Sequence, residues 1–109
     1  MNIKAFYRDG LLTIGIIGEL DHHAAKKAVS AIERNIDDHL PKSLVLDFKE
    51  LSFMDSSGIA VILKAYRRMN ELGGQVLVEN VPSQPQKVIN AAGLDRLVKI
   101  AMSSKEGYI

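Results

Sequence analysis

The feature that most limits how this chain can fold is an alternation of short apolar runs with amphipathic stretches. Residues 44–46 form a continuous apolar run, which is typical of a strand covered on both faces in a mainly parallel sheet. The stretches at residues 25–40 and 59–69 carry apolar side chains at spacings of three and four, which indicates helices with one buried face. The chain is therefore predicted to build layers of helices on a sheet.

The other segments complete the predicted order β-β-α-β-α-β-α-β. Asp9-Gly10 predicts a tight turn between two antiparallel strands, and Ser83 is expected to cap a third helix. A loop is predicted over residues 47–53. The remaining strands are predicted at residues 6–8, 11–17, 75–79 and 97–102. We therefore expect an α/β sandwich with a mixed, mainly parallel sheet, an antiparallel N-terminal edge strand and three to four helices.

Length and composition limit the classes of function. A chain of 109 residues with 47% hydrophobic residues has room for one domain with one core, here residues 1–109. The formal charge of +1 leaves no broad basic field for nucleic acid, and the absence of cysteine excludes disulfides and thiolate catalysis. No apolar stretch is long enough for a signal core or a membrane span, so a cytoplasmic location without membrane contact is expected.

Two polar segments, residues 19–23 and 55–58, are placed where a strand ends and a helix begins. Loops at this end of a parallel sheet commonly meet ligands and partners. Asp21 is expected to cap the first helix, and Ser56 or Ser57 to cap the second. A phosphate there would lie near free amides and the positive end of the helix dipole, yet would repel a partner packed against it. Gly58 would suit the close approach of another chain.

Three chemical alternatives receive less support from the residues. A hydrolase nucleophile elbow needs glycine two positions before the serine, and the carboxylate of Asp55 would oppose an oxyanion. His22 and His23 point about 100° apart on a helix, so they do not suit a shared metal. A phospho-acceptor at Asp47 would need paired magnesium-binding acids after the first strand, where only Asp9 stands. No catalytic residue, metal site or cofactor is therefore predicted.

Two sequence segments together carry a recognisable pattern. Residues 18–23 read Gly-Glu-Leu-Asp-His-His, and residues 51–58 read Leu-Ser-Phe-Met-Asp-Ser-Ser-Gly. In this combination the chain resembles the anti-sigma factor antagonists with a STAS domain, most closely those of the sporulation sigma-F system. The resemblance extends over essentially the whole chain. It departs at Ile59 and Ala60, where the family commonly has leucine and glycine.

The resemblance implies a regulatory protein that is a kinase substrate and not an enzyme. In that family the unphosphorylated antagonist binds an anti-sigma factor serine kinase, which carries the ATP or ADP, and the sigma factor is released. Phosphorylation of the serine at position 56 ends the binding, and a serine phosphatase restores it. The implied phosphorylation site is Ser56. The implied partner-binding residues are Asp21, His22, Asp55, Ser57, Gly58 and Ile59. A STAS-like module that senses a small anion or nucleotide at the same helix N-terminus is the alternative.

Overall fold

The chain follows the predicted order of elements and adds one strand. The structure is a computed structural model and describes residues 1–102. Its strands are β1 (Asn2–Arg8), β2 (Leu11–Leu20), β3 (Ser43–Asp47), β4 (Leu51–Met54), β5 (Gln75–Val81) and β6 (Lys99–Met102). Its helices are α1 (His22–His39), α2 (Ser56–Glu71), α3 (Ser83–Ala91) and a 3₁₀ turn at Leu94–Arg96.

One mixed sheet organises the molecule. Its strand order is β1-β2-β3-β5-β6, with β1 antiparallel to β2 and the other neighbouring pairs parallel. The long strand β2 pairs with three strands, since besides β1 its first half pairs with β3 and its last residues, Gly18 to Leu20, pair with β4. This confirms the prediction of a mainly parallel sheet with an antiparallel N-terminal edge strand.

The core lies between one face of the sheet and the helices. The prediction that residues 44–46 are covered on both faces was wrong, because Leu44 and Leu46 are buried and Val45 between them is only partly buried. Leu12, Ile14 and Ile16 alternate along β2 and are fully buried, as the two-residue period of a strand requires. Helix α1 buries Ala28, Ile32 and Ile36, and α2 buries a matching stripe of Gly58, Val61, Ile62, Ala65 and Met69. The opposite faces of both helices are polar. Among residues 1–102, no helix has the length and apolar character needed to cross a membrane.

The prediction of a loop over residues 47–53 was wrong in its last part, because β4 begins at Leu51. Leu51 and Met54 are buried while Ser52 and Phe53 between them are exposed. That burial pattern does not alternate, so the sequence carries no two-residue period at this place. The strand forms because β2 continues past a bulge between Gly18 and Glu19 and offers it a pairing edge.

Two smaller predictions at the C-terminal end were also wrong. Pro82 and not Ser83 is the N-cap of α3, because Pro82 has extended backbone angles and Ser83 is already helical. The last strand begins at Lys99 and not at residue 97, since Gly93 takes a positive φ of 70° and starts the 3₁₀ turn first.

Candidate functional site at two strand-to-helix junctions

The two polar segments singled out in the sequence meet in the structure. Strands β2 and β4 run parallel and their last residues, Leu20 and Met54, are paired. After each strand a single aspartate, Asp21 or Asp55, leads into a helix. The N-termini of α1 and α2 therefore lie next to each other at one edge of the sheet.

Asp21 caps α1, as predicted. Its backbone is extended, with φ −101° and ψ −174°, and its carboxylate Oδ1 accepts a hydrogen bond of 3.0 Å from the Ala24 amide. The carboxylate satisfies one of the first-turn amides that have no partner within the helix.

Asp55 links the two helices. Its backbone angles, φ −104° and ψ −171°, are nearly those of Asp21, and its Oδ1 accepts from the Ser57 amide at 2.8 Å. Its second carboxylate oxygen, Oδ2, accepts from the backbone amide of His22 at 3.1 Å. One carboxylate therefore serves the first turns of both α1 and α2. This fixes the position of each helix start relative to the other.

The prediction that Ser56 or Ser57 caps α2 was wrong. Both serines already belong to the helix, and the cap is Asp55. The expectation of free amides beside the serines also needs correction, because the Ser57 amide donates to the Asp55 carboxylate and the Gly58 amide donates to the Asp55 carbonyl at 3.0 Å. A phosphate on a serine here would therefore meet a helix start whose dipole already faces a carboxylate.

The two serines differ in exposure. Ser56 is exposed and Ser57 is partly buried. Among residues 1–102, the Ser56 side chain makes no hydrogen bond, whereas the amides of the two residues after it, Ser57 and Gly58, donate to Asp55. A phosphate donor can therefore reach the Ser56 hydroxyl without opening the fold.

Gly58 makes its close packing contacts within its own chain. It is buried, and a Cβ atom at this position would collide with the Met54 side chain and come within 3.3 Å of Leu20 Cδ2. The sequence suggested that the missing side chain gives room to another chain. In the structure Met54 fills that room, so Gly58 lets α2 pack closely on the ends of β2 and β4.

The other candidate residues surround this centre. The rings of His22 and His23 are in edge contact, with centroids 5.9 Å apart, and both residues are exposed. Ile59 is partly buried against the core. Within residues 1–102, no group of three or more histidine and acidic side chains is placed to hold a metal ion.

A residue that the sequence analysis did not single out completes the site. The Gln84 side chain, from α3, pairs with the backbone of Met54 directly before Asp55. Its Oε1 accepts from the Met54 amide at 2.8 Å, and its Nε2 donates to the Met54 carbonyl at 2.9 Å. No local sequence pattern predicts such a contact, because the two residues lie 30 positions apart.

A groove of about 340 Å³ runs between α1 and α2 beside Ser57. Apolar side chains supply much of its surface, among them Ala25, Val29 and Val61. Lys26 and Lys64 also line it, and no acidic side chain does among the residues described. The groove thus combines an apolar surface with positive charge.

Farther along, an ion pair holds the same two helices together. Arg68 on α2 donates from Nε and Nη2 to Asp37 Oδ1 on α1, at 3.0 and 2.8 Å. The hydrogen bond from Asp37 raises the pKa of Arg68 above its ordinary value. The guanidinium therefore stays charged at every pH at which the protein is handled.

Comparison with known protein families agrees with this geometry. The model of the STAS domain matches residues 2–107. The chain belongs to the STAS domain family. Its residues 18–23 and 51–58, which suggested this family from the sequence, are the segments that meet at the two junctions.

Relatives place this STAS domain among anti-sigma factor antagonists of the SpoIIAA type. The anti-sigma F factor antagonist of Paenibacillus polymyxa is 32% identical over 100 residues, which cover 92% of this chain and 86% of that protein. The unphosphorylated form of SpoIIAA matches with a TM-score of 0.69 at 25% identity, covering 97% of this chain and 92% of the other. The phosphorylated form from Bacillus matches with a TM-score of 0.70 at 27% identity, covering 97% and 96%.

Proposed function

We propose that this chain is an anti-sigma factor antagonist of sporulation, working in the cytoplasm as a single STAS domain. In its unphosphorylated form it binds an anti-sigma factor serine kinase and so releases the sigma factor for transcription. Phosphorylation of Ser56 ends the binding, and a serine phosphatase restores it. The chain itself is a substrate and binding partner and carries out no catalysis.

The observation that carries this proposal is the contrast between Ser56 and its surroundings. The Ser56 side chain is exposed, while the Asp55 carboxylate directly before it accepts hydrogen bonds from backbone amides of both helices. An exposed hydroxyl on a rigid backbone suits a kinase, because the acceptor is presented in one orientation and little ordering is needed for transfer.

The effect of the phosphate follows from charge. A phosphoserine adds about −1.5 to −2 charges at neutral pH. At position 56 this charge adjoins the Asp55 carboxylate, which already interacts with the nearest amides. A partner packed against Ser56 would have to desolvate the phosphate next to this carboxylate. The phosphorylated surface is therefore expected to reject the partner that the free surface accepts.

We infer that the docking surface extends from Ser56 into the groove between α1 and α2. Its apolar side chains suit an apolar anchor of the kinase, and Lys26 and Lys64 suit acidic side chains beside that anchor. Asp21, His22 and Ile59 lie at the same end of the molecule and are proposed to contribute contacts, with Asp55, Ser57 and Gly58 shaping the surface from below.

A module that senses a free anion at this place is less well supported. The amides of His22, Ala24 and Ser57 would be its natural ligands, but aspartate carboxylates already accept hydrogen bonds from all three. A free anion would have to displace a carboxylate that is covalently held in place.

The direct test is transfer of phosphate by the cognate anti-sigma factor kinase. The wild type, Ser56→Ala and Ser57→Ala proteins are incubated with the kinase and ATP, and the modified residue is located by mass spectrometry. We expect one phosphate on Ser56 in the wild type and in Ser57→Ala, and none in Ser56→Ala. Modification of Ser57 alone, or of neither serine, would contradict the proposal.

A further inference from the structure

The edge of strand β4 that faces away from β2 is paired in an unusual way, by a side chain. Its pairing with β2 involves only Leu51, Phe53 and Met54 and is interrupted by the bulge at Gly18/Glu19. Within a parallel pair, the amide and carbonyl of a residue point to the same side of its strand. Those of Met54 point away from β2 and meet the Gln84 amide group, at 2.8 and 2.9 Å. One side chain thus supplies both hydrogen bonds that a neighbouring strand would supply.

We propose that Gln84 is a positioning residue for the phosphate acceptor Ser56. It acts by closing the free edge of β4 at the last residue before the Asp55-Ser56 junction. The inference rests on the proposed function of Ser56, and it adds α3 to the elements that control this site.

The connection from Gln84 to Ser56 is short and made of observed contacts. Met54 is joined to Asp55 by a peptide bond. The hydrogen bond that the Asp55 amide donates to the Leu20 carbonyl of β2 is long at 3.4 Å. The Asp55 carboxylate must nevertheless reach two amides on different helices. Motion of the Met54 backbone would therefore displace Asp55 and the serine that follows it.

Gln84 is well placed for this function because its helix is itself anchored. The next residue, Pro85, is buried, and Ile89 one turn later is fully buried. Gln86 provides a contrast on the same helix, since its Nε2 donates to Asn90 of α3 at 2.8 Å and it makes no hydrogen bond to β4 in the described part of the chain. The two glutamines therefore form a matched pair for substitution.

The first measurement is hydrogen exchange in the full chain, which needs no partner. Gln84→Met keeps the length of the side chain and removes both hydrogen bonds, and Gln86→Met is the control. We expect the Met54 amide to exchange about 100-fold faster in Gln84→Met, while amides of Leu46 and Val78 in the central strands keep their rates within about threefold. Gln86→Met should leave the Met54 amide unchanged.

The second measurement is the kinetics of phosphorylation by the anti-sigma factor kinase. Because the docking side chains are retained, Gln84→Met should change KM by less than about threefold and lower kcat about tenfold or more, as a misplaced acceptor does. Gln86→Met should keep both constants.

The outcomes separate the two proposals. An unchanged exchange rate at Met54 in Gln84→Met, or faster exchange with an unchanged kcat, would overturn the positioning role. A uniform increase of exchange over all strands would overturn it too, since that indicates general destabilisation. Failure of the wild type to be phosphorylated at Ser56 contradicts the proposed function, whereas the exchange result still decides whether Gln84 holds β4.

Discussion

At the scale of single residues, two aspartates hold equivalent positions but make different sets of hydrogen bonds. Asp21 and Asp55 each follow a strand with nearly the same backbone angles and each cap the helix that comes next. Within residues 1–102 the Asp21 carboxylate accepts only from its own helix, whereas Asp55 also accepts from the His22 amide of α1. This second bond makes Asp55 the residue that joins the two helix starts.

Alanine substitutions should reveal this difference. Loss of an N-cap typically costs about 0.5–2 kcal/mol, so Asp21→Ala should fall in that range. Asp55→Ala should cost about 1 kcal/mol more, because the His22 amide also loses its acceptor. Urea unfolding followed by circular dichroism gives both free energies of unfolding. Equal losses for the two variants would show that the bond to His22 contributes nothing.

The identity of the caps shows what a sequence can reveal at this scale. Asp21 was correctly predicted because it is the one capping residue directly before its helical stripe. At the second junction Asp55, Ser56 and Ser57 are consecutive, and all three residue types are good caps. The choice depends on which backbone is extended, and that is set by the pairing of β4 with β2, which local sequence does not show.

At the scale of elements, the close packing of α2 on β4 depends on Gly58. The missing side chain leaves room for Met54, which is fully buried. A methyl group here would force the Met54 side chain or the helix to move. The sequence pattern identified α2 as a helix with one buried face, but it could not identify this contact, because β4 was not predicted as a strand.

Gly58→Ala should therefore destabilise the protein although alanine favours helix. Overpacking typically costs about 1–3 kcal/mol, and the gain in helix propensity offsets at most about 1 kcal/mol of it. We expect a net loss of about 1–2 kcal/mol by urea unfolding. A double-mutant cycle with Met54→Ala is the control, since truncation of Met54 should remove most of the penalty. A Gly58→Ala protein as stable as the wild type would contradict this packing.

We expect the groove between α1 and α2 to contribute to binding of the anti-sigma factor kinase. Ala60 lines the groove and is exposed, so Ala60→Arg should fill it without disturbing the core. We expect the affinity for the anti-sigma factor kinase to fall at least about tenfold, which corresponds to about 1.4 kcal/mol. Ala91→Arg, at an exposed position of α3, is the matched control and should bind as the wild type does. Equal affinities of the two variants would remove the groove from the docking surface.

At the scale of the whole molecule, phosphorylation is expected to act locally. Strands β2 to β5 and helices α1 to α3 all contribute to the core, and the Ser56 side chain is outside it. Solved relatives in the unphosphorylated and phosphorylated forms match the chain with nearly the same TM-scores. A charge added at one exposed position can change binding without a change of fold.

The amide spectrum of the two forms tests this expectation. After phosphorylation, shifts in a ¹H–¹⁵N correlation spectrum should be confined to residues 20–24 and 54–60 and to residues around Gln84. Amides of the central strands β3 and β5 should keep their positions. Shifts spread over the whole sheet would show that the phosphate rearranges the domain.

The overall architecture could be predicted from the sequence because it depends on periodicity that each element carries by itself. The alternation along β2 and the stripes of α1 and α2 are local signals, and the burial of Ile14, Ile32 and Ile62 follows from them. The site depends on contacts between distant segments, such as Gln84 with Met54 and Asp55 with His22. These arise only when the sheet is assembled, so the sequence indicated the junctions but not the hydrogen bonds that shape them.

The central claim is that the phosphate on Ser56 switches partner binding, and a titration of the two forms into the anti-sigma factor kinase tests it most directly. Turning a complex from mostly formed to mostly absent takes about 10⁴-fold in affinity, or about 5.5 kcal/mol. Isothermal titration calorimetry should show tight binding of the unphosphorylated chain and of Ser56→Ala, and a loss of roughly this size for the chain phosphorylated at Ser56. Equal affinities of the phosphorylated and unphosphorylated chains would contradict the account.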